Sequence, residues 1–147
     1  MIMAESRAEV VWEGDLVHGG GRVTVGSGAF PVFPVTWASR TARTEGTTSP
    51  EELIAAAHAS CFSMALSHGL AEAGTPPERL RVSAVVSLNS TDAGLRISSV
   101  ALEVWGRVPG VDFLAFAKAA EDAKAGCPVS QALTGVEITV RAYLEEE

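Results

Sequence analysis

From Leu80 to Leu88 apolar and polar residues alternate without a break, with Leu80, Val82, Ala84, Val86 and Leu88 on one side. Period two marks a strand with one buried face, because successive side chains point to opposite faces of the pleat. Leu95 to Trp105 has the same period but changes phase between Ile97 and Val100, at Ser98-Ser99. One extra residue there, in a β-bulge, would return the apolar side chains to a common face. Three earlier strands are predicted over Ala8–Trp12, Arg22–Val25 and Ala29–Trp37, and a last one over Val136–Leu144. Gly19, Gly20 and Gly21 read as the turn between the first two. Pro31 and Pro34 confine the third to a sheet edge or a bulge, since proline has no N–H for the ladder.

Between these blocks the pattern turns helical. Ser49-Pro50-Glu51-Glu52 has an N-cap serine, a proline at the first helical position and a glutamate three residues after the cap. In such a box Glu52 bonds back to the Ser49 N–H, and Glu51 is left without a local task. The helix it opens runs from Ser49 to Ala73 and is stopped by Gly74, Pro76 and Pro77. A second helix is predicted over Phe113–Ala125, capped by Asp112 and stopped by Gly126, and Cys127-Pro128 opens a short third one. The order is βββ-α-ββ-αα-β, a mixed α+β layout rather than an alternating βα fold.

A chain of 147 residues fits a single domain, 1–147, able to bury roughly two thirds of its unfolded surface. Hydrophobic content of 47% with 20% charged residues is that of a globular protein. The net charge of -7 argues against nucleic acid and anionic membrane as partners, both of which need basic patches. The first residues lack the apolar run of a secretory signal. The apolar stretch Leu53–Leu66, interrupted by His58, Ser60 and Ser63, is too short for a bilayer. A cytoplasmic location is the expectation.

Two cysteines then change the picture. Cys61 lies in the middle of the apolar helix, where burial opposes ionisation. Cys127 lies in Ala-Gly-Cys-Pro, between one helix ending and another beginning, where free N–H groups favour a thiolate. In a reducing compartment a static disulfide is not expected, and the two thiols are either inert or a redox pair. A reactive Cys61 requires a cation, preferably an arginine, whose charge is permanent and whose planar fork suits thiolate and carboxylate together. Arg22, Arg40 and Arg43 are the upstream candidates, and Arg40 and Arg43 lie on the approach to the helix. Glu51 would orient such an arginine. Ten helical residues place it about 15 Å along the axis and about 80° around from Cys61, so the two cannot meet on one straight helix. Either the site is wide, or a second copy of the chain completes it, or Glu51 merely complements the helix dipole. His58, one turn before Cys61, permits a Cys-His nucleophile pair. A zinc site of His58, Cys61 and Cys127 lacks a fourth ligand.

The runs Ser49–Ser67 (SPEELIAAAHASCFSMALS) and Lys124–Leu133 (KAGCPVSQAL), with Val-Trp-Glu-Gly-Asp at Val11–Asp15, resemble the signatures of the OsmC (osmotically inducible protein C) and Ohr (organic hydroperoxide resistance) family, on its OsmC branch. The resemblance implies an OsmC-like fold, with central helices packed against antiparallel sheets in an intertwined homodimer. It also implies a thiol-dependent peroxidase that reduces organic hydroperoxides to alcohols, with no metal or flavin. By the same resemblance Cys61 takes the peroxidatic position, Cys127 the resolving one and Glu51 that of the active-site carboxylate. The family's arginine falls within Ser39–Glu45, where Arg40 is the better match and Arg43 the rival. A lipoyl or other small dithiol is the implied reductant. Phe30, Phe33, Phe62 and Met64 are candidates for an apolar wall. Two other readings stay open: a Cys61–His58 acyl transferase or hydrolase, and a non-enzymatic stress or apolar-ligand-binding module.

Overall fold

The computed structural model describes residues 1–42 and 45–146, which leaves Arg43 outside the described residues. The chain divides into two compact units, Met1–Leu53 and Ile54–Glu147.

The first unit is built on a three-stranded antiparallel sheet in the order β1 (Ala8–Glu13), β2 (Gly20–Val25), β3 (Phe33–Val35). The glycine run does not make the first turn, as the sequence suggested. That turn is closed by the Gly19 N–H on Asp15 O at 2.9 Å, with Gly14 at φ 89°, while Gly20 and Gly21 pair within β2. Gly19 is required for a different reason: a Cβ there would lie 2.3 Å from Glu13 O.

β3 is shorter than the predicted Ala29–Trp37, and a helix absent from the expected order follows it: α1, Trp37–Ala42. The cause is a reciprocal cap. Ser39 N–H donates to Thr36 Oγ1 at 3.0 Å, and Thr36 N–H donates to Ser39 Oγ at 2.9 Å, which turns the chain out of the strand. Helix α2, Pro50–Glu72, begins in this unit and continues through the next. Its N-cap is Ser49, whose Oγ accepts from Glu52 N–H at 3.1 Å. Glu52 itself accepts from the Thr48 hydroxyl at 2.8 Å, so the box closes one residue earlier than predicted.

The second unit holds β4 (Arg79–Thr91), β5 (Gly94–Arg107) and β6 (Glu137–Leu144) in that order. Pairing of β4 with β5 runs Ser87↔Ser99 and then Leu88↔Ile97, so Ser98 is the extra residue of the predicted bulge. β6 joins β5 in parallel, whereas antiparallel sheets were expected. The reason is the intervening pair of helices, α3 (Phe113–Gly126) and α4 (Pro128–Ala132). They carry the chain back to the start of β5, as a parallel pairing demands. Asp112 caps α3, accepting the Ala115 N–H at 2.8 Å.

Phe62, Leu66 and Leu70 from α2 share one buried cluster with Val86, Val100, Leu102 and Val104 from the sheet and Phe116 and Ala120 from α3. Phe62 is therefore core and not part of an apolar wall. On the opposite sheet face Arg81, Trp105 and Tyr143 form one row, with the two rings stacked at 5.3 Å and the guanidinium 3.9 Å from the indole. The argument from helix length against a bilayer needs correction, because α2 has 23 residues, about 35 Å, and is long and apolar enough to cross one. Its Phe62, Leu66 and Leu70 are buried in the sheet's cluster.

Candidate active site

Two pairs of predicted residues are brought together, one in each unit. In the first, Arg40 on α1 donates from Nε to Glu51 Oε1 at 2.6 Å. The approach is arranged by backbone. Thr48 N–H binds Pro34 O at 3.0 Å, and the Ser39 hydroxyl donates to Thr48 O at 2.6 Å, which pins α1 to the start of α2. The Glu51 side chain is 7% exposed and its Oε2 is buried without a hydrogen-bond partner. A carboxylate held this dry is costly unless a cation faces it, and Arg40 supplies that cation. Using Nε leaves the two Nη groups of the fork pointing elsewhere. Arg22 is an exposed residue of β2, opposite Val11 and Pro34.

In the second unit Cys61 and Cys127 meet, and both are reduced. Cys61 sits mid-helix in α2 and is half-buried. Cys127 is wholly buried at the junction where α3 ends and α4 begins. Its own N–H closes α3 on Ala123 O at 2.9 Å, and Pro128, with no N–H to lose, starts α4.

The electrostatics of the two sulfurs differ as their settings predict. Burial pushes the Cys61 thiol up, and the neighbouring Cys127 adds to this, against a small opposing effect of the Val129 amide. Cys127 is held below the ordinary thiol value although burial alone would raise it. Hydrogen bonds from the Cys61 S–H, the Ser130 amide and hydroxyl, and the Val129 amide outweigh that penalty. The Cys127 side chain makes no capping hydrogen bond at the start of α4. Of the two, Cys127 ionises more readily within this unit.

His58 does not serve Cys61. Its Nε2 lies 2.8 Å from Ser130 Oγ, its Nδ1 is buried without a partner, and burial lowers its pKa, so the ring is neutral. The Cys-His pair thus lacks its hydrogen bond. Among the described residues no group of three or more His, Cys, Asp or Glu converges as a metal site. Ser130 was not singled out from sequence. Its spacing, three residues after the cysteine at the N-cap of α4, is too weak a mark by itself.

The family described as OsmC-like protein matches residues 43–141. The chain belongs to this family. Peroxiredoxin OsmC of Escherichia coli is 46% identical over 139 residues, covering 95% of this chain and 96% of that protein. The protein of that name from Shigella flexneri matches equally. Among solved structures, the organic hydroperoxide resistance protein OhrB of Bacillus subtilis is 28% identical, with a TM-score of 0.69, covering 95% of this chain and 98% of its own. The OsmC-like fold implied by the signatures is therefore the fold of this chain.

Proposed function

We propose that this member of the OsmC-like family is a thiol-dependent peroxidase that reduces organic hydroperoxides to alcohols, with Cys61 attacking and Cys127 resolving. One observation carries the reading: the two thiols touch, yet Cys61 is partly open to small molecules and Cys127 is 0% exposed. A peroxide can reach the first sulfur only.

In the first step the Cys61 thiolate attacks the terminal peroxide oxygen. The O–O bond breaks, the sulfur becomes a sulfenic acid, and the departing alkoxide takes up a proton to become the alcohol. Arg40, oriented by Glu51, stabilises the Cys61 thiolate, which burial disfavours, and the alkoxide as it leaves. In the second step Cys127 displaces water from the sulfenic acid to form the Cys61–Cys127 disulfide. A dithiol, for which a lipoyl group is suitable, reduces that disulfide by exchange.

The names of the relatives support this reading: one is called a peroxiredoxin, another an organic hydroperoxide resistance protein. The working form is a cytoplasmic homodimer of a single-domain chain, in which the Arg40–Glu51 pair and the two cysteines are completed by a second copy. Support comes from the exposed apolar residues Val10, Val11 and Trp12, whose consecutive positions present both faces of β1, and from Met64, 71% exposed on α2.

One equivalent of cumene hydroperoxide should remove two hydrogens from the intact reduced chain, mapped by mass spectrometry to a Cys61–Cys127 disulfide. An unchanged mass would leave the non-enzymatic module as the better account.

A further inference from the structure

His58 and Ser130 are both buried, at 0% and 7% exposure, and hydrogen-bonded at 2.8 Å across 72 residues of sequence. The peroxidase mechanism assigns neither of them a task. Their contact joins α2, which carries Cys61, to α4, which begins at Cys127. A hydroxyl has one proton to give. If Ser130 gives it to His58, nothing is left for the sulfur. If His58 gives its Nε2 proton to Ser130, the hydroxyl proton is free to point at Cys127. The neutral ring has one N–H, and a proton on Nδ1 would be stranded, since that atom is buried with no partner. The Nε2–H tautomer is thus the one the surroundings select.

We propose that His58 is a positioning residue that fixes the Ser130 hydroxyl as a hydrogen-bond donor to Cys127, and that this pair speeds closure of the disulfide. The proposal rests on the peroxidase reading and concerns only its second step. In that step the Cys127 sulfur, having lost its proton, attacks the Cys61 sulfur. The S–S bond forms, the S–O bond of the sulfenic acid breaks, and the leaving oxygen takes up one proton to depart as water. The electron pair of the new bond comes from Cys127, which rises to the disulfide level as Cys61 falls to it, and the S–O pair leaves with the oxygen. Ser130 keeps its proton throughout and stabilises the thiolate without being consumed. The direction of the Cys127 ionisation agrees, since the Ser130 hydroxyl is among the groups that hold it down.

The test separates the two steps. The reduced full-length protein and its Ser130→Ala, Ser130→Thr and His58→Leu variants are mixed with one equivalent of cumene hydroperoxide. Samples are quenched over time with dimedone, and sulfenic acid and disulfide are counted by mass. Removing a donor to an ionised sulfur should slow closure roughly ten- to hundredfold. Ser130→Ala and His58→Leu should therefore accumulate the dimedone adduct, their closure falling by more than any fall in peroxide consumption. Ser130→Thr keeps the hydroxyl and should restore rapid closure, which a purely structural role of the serine would not require. Closure at the unmodified rate in Ser130→Ala, or equal slowing in Ser130→Thr, overturns the proposal. If the unmodified protein consumes peroxide but never forms the disulfide, the resolving role of Cys127 falls, and this proposal with it.

Discussion

Arg40 Nε donates to Glu51 Oε1 across 2.6 Å, although eleven residues separate them and they lie on different helices. The pairing depends on a small polar frame, Thr36, Ser39 and Thr48, which sets the direction of α1 against the first turn of α2. Its consequence is directional. With Nε bound to the carboxylate, the other donors of the guanidinium are not used by this contact.

A lysine at this position would keep the charge and lose the fork. Arg40→Lys should slow the second-order oxidation of Cys61 by an organic hydroperoxide, by about 1.5–3 kcal/mol, or roughly ten- to hundredfold if felt wholly in the transition state. Arg22→Lys, on an exposed strand position, and Arg43→Lys should react at the unmodified rate. A slow Arg22→Lys or Arg43→Lys beside a normal Arg40→Lys would transfer the role to the other arginine.

The elements legible in the sequence were those whose register is fixed by local chemistry. The Ser98 bulge was readable because a phase change in an otherwise strict alternation has few other causes, and Ser49 and Asp112 were readable as caps. What escaped was set by tertiary contacts. Trp37 looks like a strand residue by propensity, and only the Thr36–Ser39 cap makes it the start of α1. The parallel entry of β6 depends on where α3 and α4 lead the chain, which no local pattern encodes. The Arg40–Glu51 contact and the approach of the two cysteines, each within its own unit, were legible from their motifs. Ser130 was not, because a lone serine three residues past a cysteine gains meaning only when His58 arrives from 72 residues away.

The proposed division of labour between the thiols is tested through their difference in exposure. Cys61→Ser should abolish peroxide consumption, because the remaining thiol, Cys127, is wholly buried. Cys127→Ser should consume one equivalent and stop at a sulfenic acid trappable by dimedone. Full turnover by Cys61→Ser would reverse the assignment.

His58 predicts how stability varies with pH. Its folded pKa lies below the ordinary 6.5 because the ring is desolvated. Below that value the unfolded chain binds a proton that the folded chain refuses, so stability declines as the pH falls, and it is fully retained above. His58→Gln cannot titrate. Urea unfolding at pH 7 and at pH 5 should show a larger loss in the unmodified protein than in His58→Gln. Equal losses in both would mean that the ring is protonated without cost.

Gly106 tests the packing of α3 on the sheet. A Cβ at this position in β5 would lie 2.4 Å from the ring of Phe116, which is itself fully buried. The ring cannot yield without moving its neighbours, and overpacking of this kind costs about 1–3 kcal/mol. Gly106→Ala should therefore lower the urea midpoint. Gly126→Ala, whose Cβ would meet nothing within 4 Å, should stay within about 0.5 kcal/mol. If the two are equally tolerated, β5 and α3 are packed more loosely than their contacts indicate.

The last prediction concerns assembly. On a straight helix the ten residues from Glu51 to Cys61 would span about 15 Å along the axis, too far for the two side chains to meet. A second copy removes this difficulty, since its Arg40–Glu51 pair need not lie on the helix that bears the reacting cysteine. It would also cover apolar surface that a lone chain leaves in water, on β1 and at Met64. Sedimentation at micromolar concentration should give about twice 15.3 kDa. Mixing inactive Cys61→Ser with inactive Glu51→Gln should then recover part of the activity, because one of the two sites in a mixed dimer would be intact. A monomer of full activity would refute the two-chain site, and a dimer without complementation would place each arginine with its own chain's cysteine.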